Sequence, residues 1–105
     1  MEKLFKALAS EPRRRILNLL LEGPMTVGEI GNHFDMALPS ISRHLAILRE
    51  AGLLIERKHG QYMLYSIVAD RLANPLYDFL APFCPDARKI VAGRRRGRAA
   101  HGDGG

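Results

Sequence analysis

The stretch Leu38-Pro39-Ser40-Ile41-Ser42-Arg43-His44-Leu45-Ala46-Ile47-Leu48-Arg49-Glu50-Ala51-Gly52-Leu53-Leu54 constrains this chain more than any other. Ile41, Leu45 and Leu48 recur at i, i+4 and i+7, which places them on one stripe of an α-helix. Pro39 suits only the first turn of such a helix, and Gly52 is a natural stop at its far end. Between these marks, Pro39, Ser40, Ser42, Arg43 and His44 crowd the amino-terminal half with short hydrogen-bonding groups and a cation. A helix that buries one face and offers serine, arginine and histidine near its start suits insertion into a DNA major groove. An amphipathic helix with an ordinary polar outer face has the same pattern. The flanking chain has to decide.

A chain of 105 residues that is 47% hydrophobic supports one domain with a small core, and a homo-oligomer is a natural way to enlarge it. There is no apolar run long enough for a bilayer, and Met1-Glu2-Lys3-Leu4-Phe5-Lys6 lacks a signal-peptide core, so a cytoplasmic protein is expected. Cys84 is the one cysteine, which excludes an intrachain disulfide and a thiolate metal site within one subunit. An intersubunit bridge, a reactive thiol or a simple packing role stay open for it. Residues 93–105 carry Arg94, Arg95, Arg96 and Arg98 against Asp103, so of the net charge of +5 only +2 belongs to residues 1–92. The globular part is mildly basic, and global charge alone is a weak pointer to nucleic acid.

In chain order, residues 2–9 are expected to form a short helix with Leu4, Phe5 and Leu8 on one face. Ser10 caps a second helix with Glu11 and Pro12 in its first turn, where both are favoured. Ile16, Leu17, Leu20 and Leu21 give that helix a broad stripe expected to be buried, and Gly23-Pro24 ends it. Arg13, Arg14 and Arg15 are either a solvated face or contacts for phosphates. Thr26-Val27-Gly28-Glu29 has the form of a capping box, and Val27, Ile30 and Phe34 follow at i, i+3, i+7 for a short third helix. The link Asp35-Met36-Ala37 to the Pro39 helix is brief. Two helices joined by a tight turn, the second stopped by glycine, make a helix-turn-helix.

After Gly52 the pattern alternates. Residues 53–58 and 61–67 flank His59-Gly60, which predicts a tight hairpin with Arg57, Lys58, His59 and Gln61 near its tip. A basic hairpin straight after a helix-turn-helix is the wing of a winged helix. The expected fold is therefore mainly α with a small β-hairpin, a winged helix-turn-helix. From Asp70 the chain turns helical, with Leu72, Leu76, Phe79, Leu80 and Phe83 on one face and breaks expected at Pro75, Pro82 and Pro85. Asn74-Pro75 suits a helix start, and Asp86 a cap for a segment with Ile90 and Val91. Pairing of this face with Leu4, Phe5 and Leu8 across a two-fold axis would make a homodimer. Residues 1–92 are then one DNA-binding and dimerisation domain. Residues 93–105 form a basic, Gly- and Arg-rich tail expected to be disordered, either merely solvated or adding salt-sensitive affinity for DNA.

Three blocks together carry a family resemblance. Residues 5–17, Phe5 to Leu17, are followed by 40–53, Ser40 to Leu53, and then by Arg57-Lys58-His59-Gly60-Gln61 with Tyr65-Ser66-Ile67. From about residue 4 to residue 80 the chain resembles the ArsR/SmtB repressors. Within them it is most similar to the SdpR-type autorepressors, which lack a metal site and share the Pro-Ser-Ile-Ser step and the Lys-x-Gly-Gln wing tip. The resemblance implies a homodimeric winged helix that represses transcription from palindromic operators. It implies DNA contacts from Ser40, Ser42, Arg43 and His44, with Pro39 opening that helix, and from Lys58, His59 and Gln61 beside Arg57 in the wing. Ala37-Leu38 departs from the polar cap and first residue common in the family. Leu38 then meets either a thymine methyl or, as the favoured reading, the inter-helix turn.

Metal sensing is argued separately. The family's thiolate box would need cysteines at 26 and 28, where this chain has Thr26 and Gly28. The other common site uses Asp and His on the last helix. Here Asp78 and Asp86 have no histidine before His101, while His33, His44 and His59 are scattered. No metal and no cofactor is expected. No paired carboxylates, activated nucleophile or phosphate-binding glycine loop points to an enzyme. The leading expectation is a sequence-specific repressor of double-stranded DNA, with a protein-contact winged helix or a metal- or redox-switched repressor as the alternatives.

Overall fold

The computed structural model describes residues 1–84. Its elements are α1 (Glu2–Leu8), α2 (Glu11–Leu20), β1 (Met25–Thr26), α3 (Val27–Gly31), α4 (Leu38–Glu50), β2 (Leu54–His59), β3 (Tyr62–Ile67) and α5 (Ala69–Leu80). Met1–Ala69 is one unit, and a second begins at Asp70. The tail and the segment holding Asp86, Ile90 and Val91 lie outside the described residues.

Local chemistry sets the helix ends. Ser10 is extended and its Oγ accepts from the Arg13 backbone N–H at 3.4 Å, with Pro12 in the first turn of α2. At α3 the capping box closes in both directions. Thr26 Oγ1 accepts from Glu29 N–H at 3.1 Å, and Glu29 Oε1 accepts from Thr26 N–H at 2.9 Å. The Glu29 carboxyl lies below its usual pKa because the Thr26 backbone, then its hydroxyl, hydrogen-bond the charged form. α4 ends in a Schellman turn: Leu53 N–H donates to Leu48 O at 3.0 Å and Gly52 N–H to Arg49 O at 2.9 Å. Gly52 has φ +79°, the left-handed value that turn needs.

α1 packs on α2 and α4, α2 on α4 and β3, α3 on α4, and α4 on β2. Their shared core is Leu4, Ala7, Ile16, Leu17, Leu20, Ile30, Ile41, Leu45, Leu48, Leu53 and Leu54. A fully buried leucine or isoleucine contributes about 1.5–3 kcal/mol of transfer free energy. The predicted stripe Ile41, Leu45, Leu48 is thus the centre of the core and fixes α4 in rotation.

Five expectations are corrected. Leu21, expected to be buried with Ile16, Leu17 and Leu20, lies just past the end of α2 and is 65% exposed. The third helix stops at Gly31 and leaves Phe34 outside it. His33 N–H and Phe34 N–H donate to Ile30 O and Gly31 O, both at 3.0 Å, tightening the chain to three-residue bonds. Gly31 lets Leu38 approach closely, since a Cβ there would sit 2.7 Å from Leu38 Cδ2 and push that side-chain end aside. Leu38 therefore packs on the turn while remaining 49% exposed. The hairpin turn is Gly60-Gln61, one residue later than expected, because His59 pairs with Tyr62. Gly60 has φ +63° and Gln61 is not left-handed, the pattern of a type II′ turn with glycine first. A third strand joins the hairpin: Met25 and Thr26 pair with Tyr65 and Leu64, giving the order β1-β3-β2. Finally, α5 is continuous through Pro75, which gives up the hydrogen bond its N–H would make without ending the helix.

Candidate nucleic-acid interface

The core stripe turns the opposite face of α4 outward. Pro39, Ser42 and Arg43 are exposed, while Ser40 and His44 are half-buried. Arg43 Nη2 donates to Ser40 Oγ at 3.2 Å, one turn earlier on the same face. That bond restrains a long side chain, so its guanidinium is partly pre-ordered for bidentate contact with a base edge or phosphate. The start of α4 is uncapped by any side chain, since Ala37 stands at the N-cap. Its first amide groups depend on other partners.

His44 is tied inward. Arg13 of α2 places Nη1 3.2 Å from His44 Nδ1, and donates from Nε to Ala7 O and from Nη2 to Lys6 O, both at 2.8 Å. The imidazole is held below its usual pKa by burial, then by the positive charges of Arg13 and Arg43. The other arginines of the run are also engaged. Arg14 Nη1 donates to Leu8 O at 2.6 Å. Arg15 donates to His33 O at 3.0 Å, lies 3.8 Å from Glu11, and stacks 4.4 Å above the Phe34 ring. The run Arg13-Arg14-Arg15 is neither a plain solvated face nor a row of free cations. It ties α1 and the α3–α4 turn to α2.

In the wing, Arg57, Lys58, His59 and Gln61 are all exposed. Strand alternation divides them. Leu54, Glu56 and Lys58 share the face of Ile67, Tyr65 and Met63, whereas Arg57 and His59 share the other with Leu64 and Tyr62. Three residues to which the sequence assigns no role at the site join the wing to α4. Arg49 is ion-paired with Glu56, and the Tyr65 hydroxyl hydrogen-bonds Glu56 from the facing strand position. Burial, then the Glu56 charge and that hydrogen bond, push the Tyr65 phenol above its usual pKa, against an opposing pull from Arg49. Once the register is known, Glu56 opposite Tyr65 is the signal that identifies this joint.

The candidate dimer residues divide as well. Leu4 is buried, which corrects its placement on an outer face, whereas Phe5 is exposed and Leu8 half-buried. On α5 no residue is buried. Leu72 and Leu76 are half-buried, Leu80 is exposed, and Phe79 and Phe83 are 46% and 73% exposed with ring centroids 5.6 Å apart. Among the described residues no three His, Cys, Asp or Glu side chains come together to hold a metal ion. Among the same residues no helix is long and apolar enough to cross a membrane.

Residues 10–56 match the family described as bacterial regulatory protein, arsR family. The transcriptional repressor SdpR of Bacillus subtilis (strain 168) is 45% identical over 67 residues, 64% of this chain and 74% of SdpR. The arsenical resistance operon repressor of Escherichia coli (strain K12) is 47% identical over 66 residues, 62% of this chain but only 56% of that protein. Among solved structures, a possible transcriptional regulator for arsenical resistance superposes with a TM-score of 0.70 at 32% identity, covering 89% of this chain and 96% of its own. A homodimeric winged helix-turn-helix DNA-binding domain from Mycobacterium bovis gives 0.64 at 31% identity, covering 77% of each chain.

Proposed function

Because this chain belongs to the ArsR family of bacterial regulatory proteins, we propose that it represses transcription by binding a palindromic operator as a homodimer. The observation that carries the reading is the split character of α4. Ile41, Leu45 and Leu48 are sealed in the core, while Arg43, restrained by Ser40, stands exposed with Ser42 on the other side.

Two copies of α4 would enter successive major grooves about 34–36 Å apart on one face of the duplex. Arg43 is assigned a base edge, with guanine as the favoured target. Ser40 and Ser42 contact phosphates or bases, and Pro39 sets the helix start at the groove edge. His44 contacts a phosphate, and Arg57, Lys58, His59 and Gln61 follow the backbone beside the minor groove. Phe5 and Leu8 of α1, Leu72, Leu76, Phe79 and Leu80 of α5, and Phe83 just beyond it form the dimer face, with Leu4 supporting α1 from within. Residues 1–92 act as one DNA-binding and dimerisation domain in the cytoplasm, and the arginines of 93–105 add salt-sensitive affinity. Thr26 and Gly28 supply no thiolate, so the reading needs no metal. Control of the protein's own gene is the simplest regulatory circuit, in line with the resemblance to the SdpR type.

The test is a genome-wide pull-down of DNA fragments by the purified protein, with and without zinc. An inverted repeat enriched upstream of its own gene supports an autoregulating repressor. Recovery of no fragment supports a protein-contact module instead. On the recovered operator, Arg43→Ala should cost about 1–3 kcal/mol and relax specificity. Lys58→Ala should weaken all sequences alike and lower the salt slope by about one. Equal losses for Arg43→Ala on operator and random DNA would sink the base-contact assignment.

A further inference from the structure

Resting on the DNA-reading role of α4, we propose that Arg13 is a positioning residue of that helix. It couples the carboxyl end of α1 to the His44 ring and holds the ring in one tautomer. The guanidinium makes three contacts in three directions: Nε to Ala7 O at 2.8 Å, Nη2 to Lys6 O at 2.8 Å, and Nη1 to His44 Nδ1 at 3.2 Å. The first two satisfy carbonyls at the end of α1, where the helix dipole also favours a cation. With two bonds fixing its plane, the third N–H is aimed by the frame rather than by side-chain freedom.

Arginine has no acceptor, so His44 Nδ1 must accept and the ring proton must sit on Nε2. His44 then presents Nε2–H as its one remaining donor, without a charge of its own. The charged groups acting on it are Arg13 of α2 and Arg43 of its own helix, both cationic. Carboxylates on the neighbouring elements are engaged elsewhere: Glu11 with Arg15, Glu29 with the Thr26 cap, Glu56 with Arg49. α1 offers this junction the carbonyls of Lys6 and Ala7. Protonation would put a second N–H against Arg13 and break the joint. Where α1 belongs to the dimer face, the same joint sets α4 relative to the two-fold axis, and an error in it appears in both half-sites.

The two roles open to His44 predict opposite responses to acid. A ring that merely touches phosphate gains charge as pH falls, and binding tightens. A ring positioned by Arg13 loses its partner, and specific binding loosens. The experiment uses the 15N-labelled full chain and the duplex enriched by the wild type. Long-range 1H–15N spectra at pH 7.5 should show His44 as the Nε2–H tautomer, and Arg13→Met should mix the tautomers. Arg13→Met should also weaken duplex binding about tenfold with sedimentation of the dimer unchanged. Because the ring is held below the usual 6.5, the wild type should lose affinity relative to His44→Asn as pH falls from 7.5 to below 6.5. His44→Asn, whose Oδ1 takes the place of Nδ1 and does not titrate, should flatten that response. This second variant decides the matter even where Arg13→Met fails to fold. An unchanged tautomer in Arg13→Met, or an acid response that is the same in His44→Asn as in the wild type, overturns the proposal. A tautomer that shifts in a protein enriching no duplex overturns instead the DNA-reading role on which the proposal rests.

Discussion

α4 and α5 are both amphipathic helices of about three turns, both contain proline, and both present a leucine-rich stripe. Their fates differ. The stripe of α4 is buried to the last atom at Ile41 and Leu48, while α5 buries no residue at all. Periodicity announces an apolar face but not what covers it. In α4 the cover is supplied by the same chain, so the helix serves as a rigid platform with its outer face free for polar chemistry. In α5 the exposed Phe79 and Leu80, with Phe83 just beyond the helix, need a cover, and a second copy supplies one under the proposed homodimer.

That contrast breaks most visibly by charging the face of α5. Phe79→Glu places a carboxylate at the face twice, once per protomer, and is expected to weaken dimerisation by roughly 4 kcal/mol. Sedimentation equilibrium should then show monomer at concentrations where the wild type is dimeric, with far-UV circular dichroism unchanged. An unaltered dimer would remove α5 from the interface. The matching change in α4, Leu48→Ala, should act on folding instead, costing about 3 kcal/mol through lost burial and an unfilled cavity. Urea unfolding of both variants tests the division, since dimer concentration should shift the midpoint far more for the wild type than for Phe79→Glu.

The same contrast explains what the sequence discloses. Helix order, the Ser10 cap, the Thr26 capping box and the Gly52 stop are all local signals, carried by residues within four positions of each other, and the structure keeps each one. The hairpin was legible in kind but slipped by one residue, because His59-Gly60 and Gly60-Gln61 differ only in which turn position carries the positive φ. β1 was not legible, since two residues have no period, and Pro75 suggested a break that the helix absorbs. At the candidate site the exposed residues of α4 and the wing could be named in advance. Their supports could not. Arg13 meets His44 across 31 positions and Arg49 meets Glu56 only once the strand register is set. Such pairings are products of packing, and no local pattern encodes them.

The Arg49–Glu56–Tyr65 joint gives a smaller effect that sharpens the distinction between platform and wing. The Tyr65 phenol is raised above its usual pKa of 10.0, so the folded protein favours its neutral form. Its contribution is therefore present below pH 10 and lost as pH rises through the folded-state value. Tyr65→Phe removes a hydrogen bond to a carboxylate and should cost about 1.5 kcal/mol at pH 8. The gap between variant and wild type in urea should narrow toward pH 11. A gap independent of pH would mean that Tyr65 supports the wing by packing alone.

The smallest effect tests α4 at its start, where the local signal is weakest. Ala37 occupies the N-cap with extended φ −68° and ψ 150° but offers no side-chain acceptor, unlike Ser10 and Thr26 at the two preceding helices. The backbone is already in the cap conformation, so Ala37→Ser needs no rearrangement to place a hydroxyl near the amide of Ser40, whose present partner is the Ala37 carbonyl at 3.0 Å. It should stabilise the chain by about 0.5–1 kcal/mol, read as a rise in the urea midpoint. The cap lies at the end of α4 assigned to DNA, so the hydroxyl would compete with a phosphate for the Ser40 amide. Stability and operator affinity should therefore move in opposite directions. If both rise, the first turn of α4 does not receive a phosphate, and the contacts there belong to side chains alone.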